Sequence, residues 1–186
     1  MITRRALIVN SMSASIALTS PALARKVKRI PRDWLPTDVA VAPGLAPGVI
    51  HVDIAGTWLY LTLQEGVARR YKTAVGAAGR NFSGQARVGR KAEWPAWTPT
   101  ADMVAKEPRV YGPYKNGLPG GHKYNPLGAR ALYLYQGNRD TLYRIHGTPY
   151  PWTIGESFSS GCIRMMNDHA IDLYDRVPVG AKVIVT

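Results

Sequence analysis

Short apolar runs closed by glycine turns dominate the chain beyond residue 48. Val49 to Asp53 and Thr57 to Leu63 flank Ala55-Gly56, and Val67 to Val75 follows Glu65-Gly66, a spacing that predicts antiparallel strands joined by tight turns. Further strands are predicted at Gln85 to Lys91, Ala131 to Gln136, Thr141 to His146 and Lys182 to Val185, with Gly137 to Asp140 closing a hairpin between two of them. One helix is signalled: Asn167 is placed to cap it and Asp168 sits in its first turn. Ala170, Leu173, Tyr174 and Val177 form one apolar stripe, and Pro178 to Gly180 stop it. Lys91 to Pro99, with Trp94 and Trp97, and the Gly/Pro-rich stretch Asn116 to Gly128 read as loops of the kind that line sites. The fold class that follows is mainly β with a few short helices.

The first 48 residues break this pattern. Arg4 and Arg5 precede an apolar stretch from Ala6 to about Leu18, followed by small residues at Ala22 and Ala24, the layout of a signal peptide over residues 1–24 with cleavage after Ala24. Its apolar part, interrupted by Asn10, Ser11 and Ser13, is too short to cross a hydrocarbon core of roughly 30 Å. Thr3-Arg4-Arg5 fits a twin-arginine signal as well as a Sec signal. Residues 25–48, basic and carrying Pro31, Pro36, Pro43 and Pro47, read as a linker or draped arm, and residues 49–186 as the domain proper.

Composition sharpens this picture. With 186 residues, 46% of them hydrophobic, the chain builds one domain with a real core. It carries 24 Lys and Arg against 12 Asp and Glu, a formal charge of +12 that becomes +10 without the first 24 residues. That charge favours polyanions or an anionic surface. For an exported protein these are the cell wall and anionic lipid, not nucleic acid. A single cysteine leaves no intrachain disulfide and no Cys-rich metal cage. Neither a P-loop nor GxGxxG occurs, and the four histidines have no HExxH-like spacing, so neither a nucleotide cofactor nor a metal is expected.

The chemistry concentrates in Tyr143 to Met166, YRIHGTPYPWTIGESFSSGCIRMM. His146 ends a predicted strand, and Cys162 follows in a Ser159-Ser160-Gly161-Cys162 turn. A thiol with a pKa of roughly 8.5 is mostly protonated at neutral pH, and a neighbouring imidazole is the usual means of making it a nucleophile. A lone Cys is also an ordinary small buried hydrophobe. Ser159, Ser160 and Gly161, however, are poor core residues, and Gly161 allows a tight backbone whose amides are suited to an oxyanion hole. Arg164 projects to the same side as Cys162 in extended backbone. Thiolate support, carboxylate binding and a plain surface arginine all remain open for it. His122 reads as a solvated loop residue, and His51 and His169 as structural or exposed. Trp94, Trp97, Tyr111 and Tyr114 are candidates either for core or for stacking on a ligand.

The run IHGT, then SSGCIRM, a capped helix and a closing VPVGAKVIV strand strongly resembles the YkuD-type L,D-transpeptidase catalytic domain, in the branch with an SxGCIRM turn. The resemblance is densest from Asn125 onward and extends loosely back to about Val49. It implies a β-sandwich or mixed-β catalytic domain, no metal or organic cofactor, and peptidoglycan stem peptides as partners. It further implies His146 as general base, Cys162 as acyl-accepting nucleophile and Gly147 as the carbonyl that orients the imidazole. Gly161, Cys162 and the neighbouring Ser160 then serve the oxyanion, and Arg164 and Ser159 contact substrate. Some members carry His where this chain has Ser160, which bears on substrate detail. Three functions compete: a cysteine transpeptidase of the cell wall, or its carboxypeptidase and protein-attaching variants; a wall-binding module without turnover; and a salt-sensitive polyanion binder.

Overall fold

The computed structural model describes residues 30–159 and 161–186. The expected signal peptide and the basic cluster at its border lie outside the described residues. Eleven strands are defined among the described residues. They are β1 (Thr37–Ala40), β2 (Ile50–Asp53), β3 (Trp58–Gln64), β4 (Val67–Lys72), β5 (Val75–Gly76), β6 (Gly84–Glu93), β7 (Arg130–Gln136), β8 (Arg139–His146), β9 (Ser157–Ser159), β10 (Ile163–Arg164) and β11 (Lys182–Val185). Helices α1 (Ala101–Lys106) and α2 (Pro108–Tyr111) lie between β6 and β7, and α3 (Asn167–Arg176) precedes β11.

Nine strands form one sheet in the order β1-β4-β3-β2-β11-β6-β7-β8-β10, and β5 pairs with β9. The large sheet bends back on itself. Two residues past β4, Ala74 exchanges both backbone hydrogen bonds with Arg164 of β10, at 2.9 and 2.8 Å. That turn divides the expected strand Val67 to Val75 into β4 and β5. The enclosed core is built by alternation: Ile50 and Val52, Leu59 and Leu61, Leu132 and Leu134, and Val183 and Val185 all point inward and are buried.

Helix α3 lies over this core through Ala170 and Leu173, with Val177 at its end. Asp172 ties its outer side to β4, accepting from Tyr71 Oη and Arg69 Nε, each at 2.7 Å. Lys91 of β6 donates to the Tyr174 and Val177 carbonyls, at 2.5 and 2.7 Å, and satisfies carbonyls left open where the helix stops. Asn167 is the first helical residue and not its cap. Its side-chain oxygen instead accepts from the Ala129 N–H at 2.9 Å, and Met166 holds the cap position.

Three further readings are corrected. The arm expected over residues 25–48 is, in its described part, an Arg32–Trp34 turn followed by edge strand β1 on β4. Trp34 packs against Ala74, Ile154 and Met166, so an aromatic anchor fixes a segment that has no period of its own. The hairpin between β7 and β8 turns on Gly137-Asn138 alone, Gln136 facing Arg139, with Gly137 at a φ of 54°. Helices α1 and α2 occupy a stretch with no predicted element; Thr100 caps α1 by accepting from the Met103 N–H at 3.2 Å.

Candidate active site

Strands β6, β7, β8 and β10 lie side by side with α3 and the core on one face. Their other face floors a cavity of about 510 Å³. The pairing register places Arg90, Tyr133 and Arg144 in one row across β6, β7 and β8, and Ala92, Ala131, His146 and Arg164 in the next, which reaches β10. Extending the β8–β10 register by one residue puts Cys162 beside Arg144, at the end of the first row. Cys162 is half-buried and His146 is 2% exposed, and both line the same cavity with Arg144 and Arg164.

Two bulges create this arrangement. Between Tyr133 and Tyr135 of β7, strand β8 carries Thr141, Leu142 and Tyr143 opposite a single residue. Leu142 adopts a φ of 63° there, and its N–H donates to Asp140 Oδ1 at 2.8 Å. Asp140 also takes both ends of the Arg144 guanidinium, at 2.7 and 2.9 Å. The bulge thus brings the Leu142 carbonyl to 4.0 Å from Cys162 Sγ and aims the Arg144 backbone N–H at the sulfur. On β6, Gly89 is the extra residue of a second bulge; a Cβ on it would lie 2.3 Å from the Tyr135 ring. In unbroken alternation Arg90 would face the core like Val88. With Gly89 as an extra, unpaired residue, Arg90 faces the cavity.

The imidazole is held from behind. His146 Nδ1 lies 2.5 Å from the Gly147 carbonyl, and because a carbonyl only accepts, Nδ1 carries a proton and Nε2 keeps its lone pair in the neutral ring. Asn167 locks this support. A Cβ on Gly147 or on Gly128 would fall 2.3 or 2.2 Å from its side-chain oxygen. Burial lowers the pKa of His146 to about 3; the charges on Arg164 and Arg144 add to this, and the Gly147 and Pro126 carbonyls oppose it. Burial raises the Cys162 thiol, against the Arg144 N–H and the charges of Arg144 and Arg164. The resting pair is therefore a thiol and a neutral base. Such a pair can pass a proton from sulfur to nitrogen as an electrophile arrives.

Gly161 is buried at a φ of 121°; a Cβ there would lie 2.3 Å from the Tyr143 ring and 2.4 Å from the Arg80 carbonyl. Gly161→Ala is expected to cost about 2 to 4 kcal/mol of stability, a backbone and an overpacking penalty together, read as a lowered Tm in thermal unfolding. Gly147 is buried and donates to the Arg130 carbonyl at 2.9 Å. Ser159 pairs through β9 with Gly76, and Ser160 lies outside the described residues. Trp97, Tyr111 and Tyr114 line the cavity, the two tyrosine rings tilted on Trp97 at 6.3 and 6.4 Å. Trp94, 55% exposed, is not among its lining residues and neither is His122, whose Nδ1 accepts from the Tyr124 N–H. His169 is buried against the Tyr71 ring, and His51 is half-buried on β2; both are remote from the cavity. Arg144, Asp140, Leu142, Tyr133 and Arg90 went unnoticed in the sequence. Arg144 had a visible signal: it lies two residues before His146 on one strand and so shares its face.

Residues 47–185 match the L,D-transpeptidase catalytic domain family YkuD. The YkuD protein of Bacillus subtilis (strain 168) is 30% identical over 182 residues, which cover 95% of this chain and 92% of that one. A Brucella melitensis structure described as a probable carnitine operon oxidoreductase is 50% identical, with a TM-score of 0.58 over 84% of this chain and 96% of the other. An L,D-transpeptidase structure from Mycobacterium smegmatis shares the fold at 20% identity and a TM-score of 0.54, over 74% of this chain and 58% of that one. Other curated relatives, 36% to 42% identical, are matched over only 30% to 46% of their own length. A mostly β fold with short helices, a His and a Cys brought to one cavity by neighbouring strands, and a match across three quarters of the chain lead to one conclusion: this chain belongs to the YkuD L,D-transpeptidase catalytic domain family.

Proposed function

We propose that this chain is an exported cysteine acyltransferase that forms 3-to-3 cross-links between peptidoglycan stem peptides at the bacterial cell wall. The observation that carries this reading is the paired rows on β8 and β10, which set Cys162 beside Arg144 and His146 beside Arg164 on the floor of one cavity.

His146 Nε2 takes the thiol proton as Cys162 Sγ attacks the carbonyl of the third, diamino-acid residue of a donor tetrapeptide. The electron pair of the C=O bond moves to oxygen, where the amides around Gly161 and Cys162, with Ser160 beside them, are the assigned donors. As the tetrahedral adduct collapses, the C–N bond to the terminal D-alanine breaks and the imidazolium returns its proton to the leaving amine. A thioester on Cys162 remains. An acceptor amine on a neighbouring stem then attacks it, giving its proton to His146, and the thiolate departs and is reprotonated. Arg164 and Ser159 are assigned to substrate. With water in place of the amine, the same steps release a tripeptide.

Cationic side chains line the cavity at Arg90, Arg144 and Arg164, and no aspartate or glutamate is among its lining residues. This suits a donor that carries carboxylates and favours catalysis over a general polyanion surface. The test is muropeptide mass analysis after incubating the purified chain, without its first 24 residues, with tetrapeptide-rich sacculi. Dimers linked 3-to-3 are expected. Tripeptides alone would assign a carboxypeptidase, and unchanged sacculi that retain bound protein would assign a wall-binding module.

A further inference from the structure

We propose that Arg90 forms an anion subsite that reads a carboxylate on the second residue of the donor peptide, next to the residue whose carbonyl reacts, and so selects donors with a free acid there over their carboxamides. This deepens, and rests on, the acyl-transfer reading of the same cavity.

The row that ends at Cys162 begins at Arg90, three strand spacings away. At about 4.8 Å each, these place the two backbones about 14 Å apart, roughly four residues of extended peptide before the reach of the arginine itself is subtracted. Between them, the Tyr133 ring lies against Arg90 on one side, at 3.5 Å, and Arg144 on the other, at 4.3 Å. The ring fixes the direction of both guanidinium groups. Arg144 is already committed to Asp140, and Arg164 stands in the His146 row where the reacting carbonyl must lie. Arg90 differs from both. It is exposed and lines the cavity, and among the described residues no carboxylate pairs with it. The Gly89 bulge, which Tyr135 permits only for glycine, exists at the position that turns Arg90 from the core side to the cavity side. A planar guanidinium held in this way offers a carboxylate two parallel hydrogen bonds and a full charge, whereas a carboxamide presents one acceptor and a repelled N–H₂.

The experiment uses two synthetic tetrapeptide donors that differ only in a free carboxylate or a carboxamide at the second residue. Their dissociation constants are measured by calorimetry on the Cys162→Ala chain, with and without Arg90→Gln or Arg90→Lys, and acylation by both donors is followed on the natural chain. The acid is expected to bind at least about tenfold tighter than the amide, a ratio that falls to within twofold in Arg90→Gln and partly survives in Arg90→Lys. Equal binding of the two donors to the Arg90 chain, or a preference that persists in Arg90→Gln, would overturn the proposal. Acylation without acid preference would leave the transpeptidase reading standing and remove the subsite. Acid-selective binding without acylation would do the reverse.

Discussion

Cys162→Ala abolishes the covalent donor adduct and lowers D-alanine release from a tetrapeptide by at least about 10⁴-fold, measured as product formed per enzyme over hours. The size of the effect follows from the reaction's order. Without sulfur there is no thioester, and no other cysteine exists to take its place. The side chain is half-buried in a turn that Gly161 shapes, so trimming one sulfur atom leaves the strand pairing of Ile163 and Arg164 intact. Circular dichroism and Tm close to those of the natural chain are therefore expected alongside the lost chemistry. Turnover persisting in a folded Cys162→Ala chain would remove the proposed nucleophile.

His146→Gln is expected to reduce acylation by about 10² to 10⁴-fold at pH 7, and the shape of its pH profile is the sharper readout. In the natural chain burial and two arginine charges hold His146 down at about 3, so the base is already neutral throughout the physiological range. The kcat/KM for acylation should then be nearly flat from pH 5 to 8, because that parameter reports the free enzyme. The variant gains a slope. With burial raising the thiol and no base to relieve it, only the small ionised fraction reacts, and log kcat/KM should climb by about one per pH unit until the thiol ionises. A natural profile that rises steeply near pH 6.5 would mean that His146 titrates as in water. A flat variant profile would mean that it is not the base. An anionic donor also offsets the arginine charges that depress His146, so binding itself strengthens the base at the moment it is needed.

Alternation and turns made most of the fold legible. The strands around Ile50, Trp58, Ala131 and His146 lie where hydrophobic period and glycine turns put them, and α3 carries its Ala170, Leu173 and Val177 stripe into the core. Long-range pairing was not legible. Edge strand β1 has a single half-buried residue among exposed neighbours, so it has no period to read; β4 and Trp34 hold it. Two-residue strands such as β5 and β10 are too short to show a period and are defined by their pairing with β9 and β8.

The site divides in the same way. His146, Gly147, Gly161, Cys162 and Arg164 sit in one dense motif that the sequence displays; the strands bring His146, Cys162 and Arg164 to one cavity floor. Arg90 and the Asp140–Leu142–Arg144 unit depend on bulges: the single extra residue Gly89 reverses the face that Arg90 takes, the two extra residues on β8 set the Leu142 carbonyl, and neither leaves a hydrophobic signature. Asn167 shows a similar limit. Its residue type at a helix start suggests a cap, yet two glycines too close for any side chain draw its oxygen to Ala129 instead.

The most direct measurement of all is the intact mass of the natural chain, taken within seconds of mixing with a tetrapeptide donor. The account requires an added mass equal to the donor less its terminal D-alanine, mapped by peptide fragmentation to Cys162 and lost when an acceptor amine is supplied, with equimolar cross-linked product. Cross-linked product forming with no adduct on Cys162, or an adduct mapped to another residue, would contradict it.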